Sequence, residues 1–216
     1  MCGRFYRAAT PAEIRKQFKI EKVPALMPRY NIAPTQSSPI VVAEEKGRKL
    51  HLARWGLVPP WSRDLSLGAR MINAPADTLE DRAAYSTPFQ SQRCLIPANG
   101  FYEWQSRGAK KQPYKIALRK GAPIAFAGLW EIWTRESTEP VETFTIITTA
   151  ASKLVSEVHD RMPVIIAPAD YQLWLTASPA TAKKLLLPYA SGLTITPIGE
   201  RVNNIQNDDV ELLLPI

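Results

Sequence analysis

The chain has 216 residues, of which 45% are hydrophobic, 22% charged and 9% aromatic, a composition that indicates a globular protein and excludes disordered and fibrous classes. Its 27 basic and 20 acidic residues give a formal charge of +7, which favours contact with phosphate backbones but equally suits a solvated basic surface. Because the two cysteines are far apart, at positions 2 and 94, and no paired ligand spacing occurs, we expect no disulfide framework, no metal and no cofactor.

The first part of the chain carries one helix signal and one hairpin signal. In Thr10-Pro11-Ala12-Glu13 a capping residue precedes a proline at the first helical position and a glutamate at the third, which predicts a helix ending near Phe18. A loop punctuated by prolines is predicted to follow, through Pro34. Two strand-like runs, 40–43 and 49–55, flank a charged turn and predict a β-hairpin.

The rest of the chain is rich in short strand-like runs. Residues 56–76 contain two adjacent prolines and show poor periodicity, so they predict a long structured loop. Further strands are predicted between charged or glycine-containing turns, at 94–96, 100–104, 113–118, 124–130, 143–149 and 164–166. Short helices are predicted at 152–158 and 178–187, and edge or return strands at 191–197 and in the C-terminal tail.

These elements predict an α+β fold in one domain over residues 1–216, with a curved, barrel-like, mostly antiparallel sheet and a few peripheral helices. No apolar run approaches the roughly 20 residues that span a bilayer, and the N-terminus lacks a signal-peptide pattern. We therefore expect a cytoplasmic protein that makes no membrane contact.

The second residue carries the most distinctive chemistry. An initiator methionine followed by a small residue is normally removed, which would give Cys2 both an α-amine and a thiol. An α-amine has an ordinary pKa of about 7.7 to 8.0, so part of it is neutral and nucleophilic at neutral pH. It forms an imine with an aldehyde, and the thiol then closes a five-membered thiazolidine in an intramolecular step. The alternative is that Cys2 is an incidental small residue after methionine.

Ordered motifs extend from this residue almost to the end of the chain. They are the segments 2–5, 29–35, 54–59, 72–74 and 93–98, with Gly100-Phe101-Tyr102-Glu103-Trp104 and His159-Asp160-Arg161-Met162-Pro163. On these motifs the chain resembles the SRAP (SOS response-associated peptidase) family, whose members crosslink to abasic sites in DNA. The resemblance implies the same activity here, with Cys2 as the residue that forms the covalent bond.

Three further residues receive catalytic roles from the resemblance. It implies that Glu103 is the acid/base, that Asn73 orients the sugar or the N-terminal amine, and that His159 transfers protons. Without it they would be an outward-facing strand glutamate, a turn asparagine and a structural histidine. The apolar run around Glu103 predicts a raised pKa, and a helix C-terminus before His159 is expected to favour the protonated imidazole.

The resemblance also implies a DNA-binding surface. Arg4 and Arg161 correspond to arginines that grip the phosphates flanking the lesion. Trp61, which follows two prolines, is predicted either to stack on a base or to pack beneath its own loop. The complete set of predicted DNA-binding residues is Arg4, Asn31, Trp61, Arg82, Thr148 and Arg161.

Two departures from the family pattern affect this prediction. Pro75 stands where the family commonly has a phosphate-binding arginine, so either Arg82 or Arg70 compensates or the DNA affinity is weaker. Asn99 stands where aspartate is usual, which preserves a turn and removes a charge near Glu103.

We therefore predict an enzyme with lyase-like Schiff-base chemistry whose partner is single-stranded DNA containing an abasic site. It is expected to be a monomer that associates with the nucleoid when it engages DNA, and replication-fork proteins are further expected partners. Two alternatives stay open. One is an autoproteolytic thiol peptidase that uses Cys2 and His159, and the other is a non-catalytic module that binds single-stranded DNA.

Overall fold

The computed structural model describes residues 2–108, 110–135, 139–190 and 192–216, and it confirms the predicted α+β class. The strands are β1 (Phe5–Arg7), β2 (Arg29–Ile32), β3 (Ser37–Glu44), β4 (Gly47–Trp55), β5 (Asn73–Pro75), β6 (Arg93–Ala98), β7 (Gly100–Arg107), β8 (Lys110–Leu118), β9 (Ile124–Trp133), β10 (Val141–Ala150), β11 (Arg161–Pro163), β12 (Ile165–Ile166) and β13 (Leu193–Pro197). The α-helices are α1 (Pro11–Phe18), α2 (Ala83–Ser91), α3 (Tyr171–Thr176) and α4 (Pro179–Lys183).

Five strands of the larger sheet close into a ring, which confirms the predicted barrel. Strands β4, β3, β6 and β9 follow one another in antiparallel pairs. Strand β10 then joins β9, in antiparallel pairing, to β4, in parallel pairing. Closure gives each of these strands a partner on both sides, so the ring has no open edge. Strands β5 and β11 pair with β10, and β12 pairs with β9.

Both faces are buried along most of β3 and all of β6, because each face packs on a separate apolar core. In β3, Ile40 and Val42 belong to the core that also contains Cys2. Val41, between them, belongs to the core formed with Phe18 of α1. Strands buried on both faces carry near-continuous apolar runs, and β6, in which only Arg93 is charged, is buried along its whole length.

The smaller sheet holds the beginning of the chain. Its strands are ordered β13-β8-β7-β1-β2, and all its pairs are antiparallel. Phe5 of β1 makes edge-to-face ring contacts with Trp55 and Phe126, which belong to the ring of the larger sheet. These contacts join the two sheets and fix the first residues of the chain in the core.

The loop over residues 56–76 is confirmed as structured. A close backbone approach between Gly56 and Gly68 holds it, since a Cβ atom on Gly68 would lie 2.6 Å from the carbonyl oxygen of Gly56. The loop contains a 3₁₀ helix, Leu65–Arg70, and ends in β5.

The predicted helix over 11–18 is confirmed, with both hydrogen bonds of its capping box, and so are the hairpin and the strands predicted between 94 and 149. Three C-terminal predictions are wrong in extent. Only Val155–Glu157 of the segment 152–158 is helical, as a 3₁₀ turn. Helix α4 ends at Lys183, and the tail forms 3₁₀ helices at Glu200–Asn203 and Val210–Leu213, with a single antiparallel bridge between Ile198 and Pro215 in place of strands. Among the helices of the described residues, none is long and apolar enough to cross a membrane.

Candidate active site

Cys2 is anchored inside the fold. The carbonyl oxygen of Arg4 accepts a hydrogen bond of 3.0 Å from the backbone N–H of Tyr102, which holds the N-terminal segment along β7. The side chain of Cys2 is 0% exposed. Burial, reinforced by the nearby Glu103 carboxylate, raises the pKa of the Cys2 thiol well above its ordinary value. The thiol is therefore present as S–H at neutral pH.

Asn73 lies directly against Cys2, as the predicted shared site requires. Parallel pairing of β5 with β10 places Asn73 opposite Ile146, and its Nδ2 donates a hydrogen bond of 2.9 Å to the carbonyl oxygen of Cys2. The backbone carbonyl of Asn73 in turn accepts a hydrogen bond of 3.1 Å from the Tyr85 hydroxyl. Asn73 Oδ1 is buried and accepts no hydrogen bond within the described residues. A ligand's hydroxyl or amine would satisfy such an acceptor.

Glu103 is a buried carboxyl in the middle of β7, where it pairs with Tyr114 of β8. Its side chain is only 3% exposed. Burial raises the pKa of Glu103 from 4.5 to about 7, and the nearby Asp160 acts in the same direction. The predicted rise is thus confirmed. A carboxyl that is half protonated near neutral pH can both accept and donate a proton.

His159 has the opposite protonation preference to the predicted one. Burial lowers the pKa of His159, against the opposing effect of Asp160. The expected helix dipole is missing because the preceding helical segment, Val155–Glu157, is a single 3₁₀ turn. Nδ1 lies 3.0 Å from the backbone nitrogen of Arg161 and 2.8 Å from the Asp160 carboxylate. It accepts a hydrogen bond from the first when the proton of the neutral ring is on Nε2, and it donates one to the second when Nδ1 carries a proton.

Arg4 and Asn31 contact each other, and only Arg4 is partly accessible. Arg4 Nη1 donates hydrogen bonds to Asn31 Oδ1 at 2.8 Å and to the Val202 carbonyl at 2.9 Å. Its guanidinium lies 5.9 Å from the ring centre of Trp104. Asn31 is 0% exposed, and its Nδ2 donates to three backbone carbonyls of the segment 202–207. The structure therefore gives Asn31 a buried position from which it orients Arg4.

Arg161 and Thr148 also form a contact pair. Arg161 Nη2 donates to the Thr148 carbonyl at 2.9 Å and to Thr148 Oγ1 at 3.3 Å. Nη1 lies 3.0 Å from Asp77 Oδ1. Thr148 is 0% exposed, opposite Pro75 of β5 and Pro163 of β11. The buried threonine orients the guanidinium.

The other predicted DNA-binding residues lie on the surface. Trp61 is 66% exposed, so the alternative in which it packs beneath its own loop is wrong. Arg82 is exposed at the start of α2, near enough to Tyr85 to oppose the burial that raises the pKa of that phenol. Arg70 is exposed at the end of the 3₁₀ helix Leu65–Arg70. Within the described residues, neither arginine forms an ion pair.

Asn99 uses both ends of its amide. Oδ1 accepts hydrogen bonds of 2.8 Å from the backbone N–H groups of Ala8 and Ala9, and Nδ2 donates one of 3.3 Å to the Gly121 carbonyl. An aspartate would keep the first two bonds and lose the third. The asparagine therefore has a structural function that the sequence did not indicate.

Two neighbours of the site were missed from the sequence. Tyr85 supports Asn73, and Asp77 is paired with Arg161. Neither residue stands in a motif, and the only available signal for Asp77 was its proximity to Asn73 in the chain. In the part of the chain that the structure describes, no group of three or more His, Cys, Asp or Glu side chains is arranged to hold a metal ion.

Fold and site together define an α+β protein with a closed β-barrel, in which a cysteine at position 2 is buried between an asparagine amide and a carboxyl. The chain belongs to the SRAP family, SOS response associated peptidase, whose model matches residues 1–205. It is 39% identical over 221 residues to the abasic site processing protein YoaM of Bacillus subtilis, covering 99% of this chain and 97% of that protein.

A second Bacillus subtilis relative, the abasic site processing protein YoqW, is 38% identical and is matched over 99% of both chains. The fold is shared with a crystal structure of a protein from Bacteroides thetaiotaomicron. That match covers 100% of both chains with a TM-score of 0.89 at 24% sequence identity.

Proposed function

We propose that this protein captures abasic sites in single-stranded DNA by forming a covalent bond through Cys2 after removal of Met1. One observation carries the proposal: Cys2 is buried, its carbonyl is held by Asn73, and a carboxyl with a pKa of about 7 lies near its thiol. The relatives named abasic site processing proteins support this class of substrate.

The chemistry starts with the amine. The ring-opened abasic sugar presents an aldehyde, and the neutral α-amine of Cys2 adds to its carbonyl carbon. Protonated Glu103 donates a proton to the departing hydroxyl, water leaves, and a protonated imine forms. The thiol then adds to the imine carbon, so that a C–S bond forms as the π electron pair moves to the positively charged nitrogen. The thiol proton passes to the Glu103 carboxylate, which returns Glu103 to its protonated form. The products are a thiazolidine and one water, and no oxidant is needed.

The environment of Cys2 suits this order of steps. The raised thiol pKa means that the thiol needs a base before it attacks, and Glu103 is a buried carboxyl whose pKa allows it to serve first as acid and then as base. Asn73 fixes the Cys2 carbonyl and thereby the direction of the amine. Neutral His159 is available as a base for opening the sugar ring.

DNA contacts are proposed for four residues that are exposed or partly exposed. Arg4 and Arg161 supply guanidinium groups to the phosphates on either side of the lesion. The exposed Trp61 ring supplies a stacking surface for an unpaired base, and Arg82 adds a further exposed positive charge.

The peptidase alternative receives less support from the same observations. A thiol protease attacks with its sulfur, which requires a thiolate and hence a thiol pKa below the ordinary value. Burial and Glu103 shift the Cys2 thiol in the other direction. Imine chemistry avoids this difficulty because the amine attacks first.

The test is a denaturing gel with a labelled single strand that carries one abasic site. The protein is first checked by intact mass for removal of Met1. We expect a shifted band that survives denaturation. Cys2→Ala keeps an N-terminal amine, so it should give a band only when borohydride reduces the imine. Cys94→Ala is the matched control, since Cys94 is the other wholly buried cysteine and should leave the crosslink unchanged.

Two results would count against the proposal. One is the absence of a shifted band with processed wild-type protein. The other is an unreduced Cys2→Ala band as strong as that of the wild type, because thiazolidine formation would then be irrelevant. Hydrolysis of a fluorogenic peptide by the wild type, lost in Cys2→Ser, would favour the peptidase instead.

A further inference from the structure

A groove next to the site contains two cations, each paired with a carboxylate. Arg161 Nη1 lies 3.0 Å from Asp77 Oδ1, and Lys183 Nζ is paired with Glu80. Both carboxylates come from the segment 76–80, which directly follows β5. The groove is lined by Ala76, Asp77, Thr149, Ala150, Arg161, Lys183 and Leu186. These two ion pairs balance the positive charges of Arg161 and Lys183 with the negative charges of Asp77 and Glu80.

The groove is continuous with the proposed reaction site through the sheet. Asn73, which holds the Cys2 carbonyl, and Pro75, which precedes the segment 76–80, belong to the same short strand. Pro75 pairs with Thr148, which orients Arg161. A DNA strand that places its lesion at Cys2 would thus meet this groove with a neighbouring phosphate.

The side chains of Asp77 and Glu80 are more exposed to solvent than that of Arg161. The Asp77 side chain is 65% exposed, and the Glu80 and Lys183 side chains are 43% and 55% exposed. Exposed ion pairs of this kind contribute little and are screened by salt. Arg161 is 22% exposed and keeps its two hydrogen bonds to Thr148 when Asp77 leaves. A phosphate can therefore replace the Asp77 carboxylate at Nη1 without reorganising the guanidinium.

We propose that Arg161 and Lys183 form a phosphate-binding subsite for the DNA strand beside the lesion, and that Asp77 and Glu80 occupy it as phosphate mimics until DNA displaces them. The inference rests on the proposed function for its ligand. It adds Lys183 to the DNA-binding residues and makes the segment 76–80 a competitor that weakens DNA binding.

The test measures binding of an undamaged, labelled oligothymidine by fluorescence anisotropy over a range of salt concentrations, with thermal melting to confirm folding. Lys183→Ala should weaken binding and lower the slope of log affinity against log salt by about 0.7, the value for one phosphate contact on a single strand. Asp77→Asn combined with Glu80→Gln should strengthen binding by about fivefold, because two exposed ion pairs no longer compete. Adding Lys183→Ala to that double variant should remove most of the gain.

Glu44→Gln is the matched control for Glu80→Gln. It removes the same charge from a carboxylate of similar exposure, 42%, which pairs with Lys49 and also contacts His51 on the β3–β4 hairpin. An effect of net charge alone would make these two single variants equal and would overturn the proposal, as would an unchanged salt slope in Lys183→Ala. Binding of undamaged DNA needs no covalent step, so failure of the crosslinking function is scored separately, by loss of the shifted band on the denaturing gel.

Discussion

Replacing Glu103 with glutamine should stabilise the folded protein at alkaline pH while it impairs crosslinking. The side chain is 3% exposed, and burial raises its pKa from 4.5 to about 7. Ionising it in the folded protein therefore costs about 3 kcal/mol more than in the unfolded chain. Between pH 4.5 and about pH 7, the Glu103 carboxyl holds a proton in the folded state that it has lost in the unfolded state. Wild-type stability therefore falls as pH rises through this interval, and the loss is complete above pH 7.

Glutamine carries no charge and escapes this penalty. Urea unfolding followed by tryptophan fluorescence should give nearly equal free energies of unfolding for Glu103→Gln and wild type at about pH 3.5, below the ordinary carboxyl pKa. At pH 8 the variant should be more stable by about 3 kcal/mol. Its crosslinking rate should fall by about a hundredfold, since the acid/base is lost.

Glu13, in the capping box of α1, provides a control in which stability changes with pH in the opposite direction. Hydrogen bonds from the backbone and side chain of Thr10 lower the pKa of Glu13, so its contribution to stability is present above the ordinary carboxyl pKa and is lost as pH falls. Glu13→Gln should therefore be destabilising at pH 7 and neutral in acid. A Glu103→Gln variant that is less stable than wild type at pH 8, or a stability difference that does not change with pH, would refute the reasoning.

Three further predictions concern single contacts. Asn73→Ala removes the hydrogen bond to the residue-2 carbonyl and should slow crosslinking about tenfold in timed gels; an unchanged rate would contradict a positioning role. Trp61→Ala should weaken oligonucleotide binding by about 1 to 3 kcal/mol and leave the unfolding free energy unchanged, because the ring is 66% exposed; equal affinity would show that no base stacks there. Gly56→Ala, at φ +120 with its new Cβ 2.3 Å from a backbone oxygen, should lower the urea midpoint, whereas Gly47→Ala, at φ +123 with nothing within 4 Å, should do so less.

Local signals explain which parts of the fold were predictable. Helix α1 carries a capping box, and the β3–β4 hairpin shows apolar runs around a charged turn, so both elements were predicted correctly. Strand β1 has three residues, too few for a periodic pattern, and it exists because β2 and β7 pair with it on either side. Helix α2 contains Pro88 and only a weak amphipathic pattern. These elements depend on partners that are distant in sequence.

In the candidate site, too, the residues that stand in motifs were predicted, and the contacts with distant parts of the chain were not. The motifs indicated Cys2, Asn73 and Glu103 together, and the structure brings them into one neighbourhood. The protonation of His159 was predicted wrongly, because that expectation assumed a helix where a single turn forms. Asn31 was expected at the DNA surface, but its partners lie 171 to 176 residues further along the chain, where no local pattern could show them.

The contact between Arg4 and the carbonyl of Val202 joins residues 198 positions apart, so it can form only late in the synthesis of the protein. A ribosome delivers Arg4 and Asn31 early, and both must wait for the segment 202–207 to emerge before they reach their final positions. The hydrogen bonds of Arg4 and Asn31 to this segment can therefore form only after residues 202–207 have been synthesised.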